Sequence, residues 1–150
     1  MGGGIGHIFA KILIFFVFLQ FLSKHTVMAR HNDTGKQGET LAQEYLRKKG
    51  FAIVETNWRK GKYEADIIAY KEGLIVFAEV KTRSSQEYGM PEDFVDREKQ
   101  RAYVRMANNY VIEHDREEEV RFDIISVYMG STDYRIEHLE GAFSPIGLYL

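Results

Sequence analysis

Residues 63–83 read YEADIIAYKEGLIVFAEVKTR, and how this stretch pairs with itself decides the fold. Tyr63 to Tyr70 and Leu74 to Lys81 are rich in β-branched and aromatic residues, which suit a pleated, packed surface. Glu72-Gly73 between them is a very short turn, so the two runs form a hairpin. A two-residue loop pairs Lys71 with Leu74, Tyr70 with Ile75 and Ile68 with Phe77. A four-residue loop gives the same register, and an odd one shifts it by one residue. In this register one face carries Ala65, Ile67, Ala69, Leu74, Val76, Ala78 and Val80, and the other also holds core residues. A hairpin apolar on both faces is central to its sheet and covered on both sides.

The same register sets Asp66 opposite Glu79. Glu79 and Lys81 also share a face, because side chains alternate along a strand. Directly opposed side chains have Cβ atoms about 5 Å apart, where like charges repel. Two carboxylates at the edge of a buried patch resist ionisation unless a cation lies between them. Mg²⁺ suits such a pair, since it takes one or two carboxylates and keeps other positions for water and phosphate. The alternative is a cross-strand network with Lys81 opposite Glu64 and both acids partly solvated. Glu39, on the margin of a helix's apolar face, is a fourth charged residue able to reach the sheet.

The flanking sequence supplies the remaining elements. Thr34 to Gln37 has the form of a capping box, and Gly38, Leu41, Ala42, Tyr45 and Leu46 make one helical face ending at Gly50. Phe51 to Trp58 alternates as a strand. Thr82 to Pro91 reads as a polar loop. A second helix runs from about Asp96 to about Glu113, with Tyr103, Met106, Ala107, Tyr110 and Val111 as its buried stripe. Glu117 to Glu119 is an acidic connection, and Val120–Met129 with Asp133–Leu139 forms a closing hairpin. The order is that of an α/β domain with helices on a mixed sheet.

Composition narrows the chemistry. With no cysteine in 150 residues, disulfides and thiolate metal sites are excluded, and the usage fits a reducing cytoplasm. His7, His25, His31, His114 and His138 lack metal-ligand spacing, which leaves carboxylates as the donors for a hard metal. A formal charge of -2 argues against a protein that simply coats DNA. Residues 1–27 differ in kind from the rest, being strongly apolar from Ile5 to Leu22, about the minimum for a membrane span. Three readings stand open: Met28 is the true start, residues 5–22 anchor the chain in a membrane, or the segment is a signal peptide.

A helix Glu, a hairpin Asp and then Glu-x-Lys, in that order, resemble the PD-(D/E)xK nuclease superfamily. The segments GKQGETLAQEYLRKKGF (35–51), YEADIIA (63–69), VFAEVKTR (76–83), REKQRAYVRMANNYV (97–111), RFDII (121–125) and IEHLEGAF (136–143) resemble one branch, the uncharacterised YraN-like family, described as related to Holliday-junction resolvases. The resemblance covers essentially Met28 to Phe143, which favours Met28 as the start and 28–150 as the domain. It implies a restriction-endonuclease-like core, with a central mixed sheet flanked by helices. By the same resemblance Asp66 and Glu79 are ligands of Mg²⁺ or Mn²⁺, Lys81 orients or helps deprotonate the attacking water, and Glu39 positions metal or water. Lys99 and Gln100 face the site or the nucleic-acid backbone. Ala65 and Tyr63 depart from the family's usual residues without removing a ligand. The implied activity is hydrolysis of phosphodiesters in DNA, branched or damaged, and the alternative is a non-catalytic nucleic-acid-binding or interaction module. Expected partners are nucleic acid and a second copy in a homodimer, in the cytoplasm, with a membrane involved only if residues 1–27 are retained.

Overall fold

The computed structural model describes residues 33–84 and 96–145. The chain divides into two units, Met1–Lys36 and Gln37–Leu150, and the architecture below is that of the second. The apolar segment 5–22, most of the 82–91 loop and the last five residues lie outside the described residues. Among the described residues no helix is long and apolar enough to cross a membrane.

Helix α1 covers 33–48, so Thr34 lies inside the helix and is not its N-cap. The C-terminal end follows sequence expectation. Gly50 takes φ 88°, a region that glycine enters without steric penalty. Phe51 N–H donates to Leu46 O at 3.0 Å and Gly50 N–H to Arg47 O at 3.0 Å, which satisfies two orphan carbonyls as a Schellman motif does.

Five strands follow in one sheet: β1 Ala52–Lys60, β2 Tyr63–Lys71, β3 Leu74–Ser84, β4 Glu119–Met129 and β5 Tyr134–Phe143. Helix α2, Arg97–Glu113, crosses from β3 to β4, and Asp96 caps it by accepting Lys99 N–H at 2.8 Å. Strand order follows the chain, with β3 and β4 parallel and the other neighbours antiparallel. The sheet is therefore mixed, and a parallel pair needs the long crossover that α2 provides. β3 runs past Lys81, where sequence suggested a loop, because pairing with β4 continues from Lys81–Ser126 to Ser84–Met129. Glu119 likewise belongs to a strand, paired with Leu74.

The 72–73 turn has φ 49° at Glu72 and 81° at Gly73, the two positive angles of a type I′ turn. It sets the expected register, Lys71–Leu74 through Ile67–Ala78. Ala42 and Leu46 of α1 pack with Ile67, Ala69, Val76, Ala78, Ile125 and Val127 on one face. On the other, Tyr103, Met106, Ala107 and Tyr110 of α2 pack with Ile68, Ile75, Phe77 and Phe122. Each fully buried Leu, Ile, Val, Met or Phe among them contributes about 1.5–3 kcal/mol, and each Ala methyl less. β2 and β3 are thus covered on both faces, as their apolar patterning requires.

Where β4 meets β5 the ladder shifts between Phe122 and Ile124, which leaves Asp123 at an irregularity. Asp123 is 1% exposed. Arg121 Nε and a terminal nitrogen each donate to it at 2.8 Å, Gly141 N–H at 2.9 Å, and His138 Nε2 lies 2.8 Å away. Burial pushes the Asp123 carboxyl up, but the bonds from His138, Arg121 and Gly141 outweigh it and hold the group below its ordinary value. A buried charge needs such partners, and here the partners tie β4 to β5.

Candidate metal centre

Pairing between β2 and β3 stops at Ile67–Ala78, one residue short of the expected Asp66–Glu79 pair. Asp66 does not complete the ladder. Its Oδ2 accepts Val80 N–H at 2.7 Å, so the carboxylate is held against the β3 backbone one residue beyond Glu79. The β1 side is irregular here too, with Asn57, between the paired Thr56 and Trp58, at φ 53°. Asn reaches the left-handed region more readily than most residues. Its side chain turns to Glu39, and Nδ2 donates to Oε2 at 3.4 Å.

Gly38 explains how α1 brings Glu39 to the sheet. A Cβ on Gly38 would lie 1.9 Å from Thr82 Oγ1, closer than any such contact allows. The bare glycine lets the helix rest directly on the end of β3, and the next residue is Glu39.

Asp66, Glu79 and Tyr103 line a cleft of about 450 Å³, with Tyr63, Glu64, Asp96, Glu98, Lys62 and Lys99. Five carboxylates face two ammonium groups there. Burial first, then the Glu79 charge, raises the Asp66 carboxyl from 3.8 to about 7. Glu39 adds to the rise, while the Val80 N–H and Lys99 oppose it. The two acids are therefore electrostatically coupled, although they are not a ladder pair. Glu39 reaches Asp66 through its charge but is not part of the cleft lining. Lys81 is half-buried on β3 in register with Ser126, on the face Glu79 shares, and it too lies outside that lining. Glu64 pairs with Arg59 at 2.9 Å.

Sequence reading left two contacts unseen. Tyr103, a core residue by its helical spacing, donates its hydroxyl to Glu79 Oε2, and Lys99 donates its ammonium to Oε1. Burial and then the Glu79 charge push the Tyr103 phenol far above its ordinary value, so it stays a donor. The i, i+4 spacing of Lys99 and Tyr103 was a signal that both share one face of α2. Gln100 does not line the cleft. Among the described residues no three Asp, Glu or His side chains converge as a ready-made metal cage. What the site does offer is a coupled pair of carboxylates, the hard oxygen donors that Mg²⁺ and Mn²⁺ prefer.

The fold is a restriction-endonuclease-like α/β core, a five-strand mixed sheet with a helix on each face. Residues 38–127 match the uncharacterised protein family UPF0102. The UPF0102 protein FP2501 of Flavobacterium psychrophilum is 53% identical over 116 residues, covering 77% of this chain and 98% of the relative. A UPF0102 protein of Christiangramia forsetii is 47% identical with the same coverage, and UPF0102 protein BF0634 of Bacteroides fragilis is 44% identical over 118 residues, 79% of this chain and 98% of its own. The chain belongs to the UPF0102 family, the YraN-like family that its motifs resemble.

Proposed function

We propose that this protein is a metal-dependent nuclease that hydrolyses phosphodiester bonds in DNA. The observation that carries the reading is the coupled pair Asp66 and Glu79 in one acid-rich cleft, with Lys81 two residues after Glu79 on the same strand face. A cleft with that excess of carboxylates repels a phosphodiester until a cation enters. Asp66 and Glu79 would hold Mg²⁺ or Mn²⁺, and when bound the ion lowers the pKa of a water and neutralises charge on the phosphate. Asp66 is oriented for this by the Val80 N–H, and Glu79 by Tyr103. Lys81 orients the attacking water, and Glu39, tethered by Asn57, positions water from the α1 side.

A second reading, a non-catalytic nucleic-acid-binding or interaction module on a nuclease scaffold, is favoured by Lys99 and Tyr103, which already bond both oxygens of Glu79. One experiment separates the two. The full chain is incubated with Mg²⁺ or Mn²⁺ and linear, single-stranded, flapped and four-way DNA, and with RNA, beside Asp66→Asn and Lys81→Ala. Cleavage lost in both variants supports the nuclease. Absence of cleavage together with absence of metal binding by calorimetry refutes it, and cleavage that survives both substitutions belongs to a contaminant.

A further inference from the structure

Both oxygens of Glu79 are already occupied, and by donors of opposite character. Tyr103 is 2% exposed, fixed in the α2 core cluster with its ring edge-on to Phe143 at 6.3 Å. Lys99 has a side chain 43% exposed, and it lines the cleft together with Glu64, Asp96 and Glu98. The Tyr103 hydroxyl cannot leave Oε2 without a vacancy in the core. The Lys99 ammonium can leave Oε1 by rotating a flexible stem toward acids that line the same cleft.

The position of Lys99 points the same way. It lies in the first turn of α2, at the third residue after the Asp96 cap. The positive end of a helix dipole favours acids and disfavours a cation there. Local helix energetics therefore do not account for this lysine, whereas its contact with Glu79 does.

We propose that Lys99 is a displaceable counter-ion of Glu79: it holds the carboxylate oxygen a divalent cation needs, and yields it when the cation enters. The inference rests on the metal-site reading above. Before the cation arrives, the ammonium neutralises a carboxylate that would otherwise face another in a half-buried cleft. Once displaced, it is a positive group at the mouth of the cleft, free to meet a phosphate of the incoming strand. Cation and nucleic acid then bind with positive coupling, because the first releases the group the second uses. Tyr103 keeps Glu79 oriented throughout, a positioning residue that acts through Glu79 alone.

The test is the dissociation constant of Mn²⁺ for the full chain, by calorimetry without nucleic acid, for wild type, Lys99→Met, Lys99→Gln and Lys62→Met. Removal of a competing charge-assisted hydrogen bond is expected to tighten Mn²⁺ about tenfold in both Lys99 variants. Lys62 lines the cleft without bonding Glu79, so its loss shifts affinity far less and controls for general charge. Binding by the Lys99 variants but not by wild type is the extreme form of the same result and supports the proposal. Wild-type binding with Lys99 variants unchanged or weaker overturns it and leaves the metal site standing. No binding by any of the four proteins overturns the metal site and the proposal together.

Discussion

Replacing Asp66 by Asn removes a charge while keeping an acceptor for the Val80 N–H, so it isolates the electrostatic penalty of the candidate site. The folded carboxyl titrates at about 7 against 3.8 ordinarily, so the native state holds the proton more tightly than the unfolded chain. Where the native state binds more protons, stability falls as pH rises. The penalty is absent below the unfolded value, grows through the window from 3.8 to about 7, and is complete above it. At 1.36 kcal/mol per pH unit the full term is ~4 kcal/mol, and relaxation around the site brings the expected gain to ~2–4 kcal/mol. That is a large share of the 5–15 kcal/mol that holds a typical domain together. Urea unfolding in EDTA, followed through Trp58, measures it. Trp58 is the one tryptophan and packs edge-on against Tyr110 at 5.2 Å. Asp66→Asn should exceed wild type by ~2–4 kcal/mol at pH 8, with the difference shrinking toward zero at pH 4. Adding Mn²⁺ should stabilise wild type and leave the variant unmoved. A variant no more stable than wild type at pH 8, or an offset that ignores pH, would refute the reasoning.

Three further outcomes are expected. Tyr103→Phe leaves Glu79 Oε2 without its buried donor, at ~1–3 kcal/mol of stability by denaturant titration, and weakens Mn²⁺ binding by loosening the ligand. Arg121→Met strips two hydrogen bonds from the buried Asp123 and should destabilise by ~3–5 kcal/mol. The stability that Asp123 supplies has the opposite pH sign to that of Asp66: with a lowered carboxyl, it is present above 3.8 and is lost as pH falls below that value, readable as a steeper acid limb in wild type than in the variant. Gly38→Ala forces α1 off Thr82, for a loss of ~1–3 kcal/mol in a thermal melt, and should be partly recovered by Thr82→Ala.

Elements whose geometry is local were readable from residue order. The Glu72-Gly73 turn sets strand pairing by its own backbone angles, so the register from Lys71–Leu74 to Ile67–Ala78 follows from two residues. Asp96 caps α2, and Gly50 closes α1, through bonds spanning at most five residues. The continuous apolar runs of β2 and β3 placed them in the centre because a strand covered on both faces has no polar side to show. Motif order placed Glu39, Asp66, Glu79 and Lys81 among the candidates.

The site's actual arrangement depends on groups far apart in the chain. Extrapolated register set Asp66 across from Glu79, but the ladder stops before them and the Val80 N–H takes the carboxylate instead. No hydrophobic pattern encodes where a ladder ends. β3 lengthens to Ser84 because β4 arrives beside it after a helical crossover, a contact that local propensity cannot anticipate. Lys99 and Tyr103 reach Glu79 from 20 and 24 residues away, only because α2 packs on the face that Glu79 shares with Phe77. Backbone turns and side-chain periodicity are short-range properties that residue order carries directly. The surroundings of Glu79 in FAEVKTR, residues 77–83, come from other elements: Asp66 of β2 acts on it through charge, and Lys99 and Tyr103 of α2 bond its carboxylate. Those meet only when the sheet and its helices close around them.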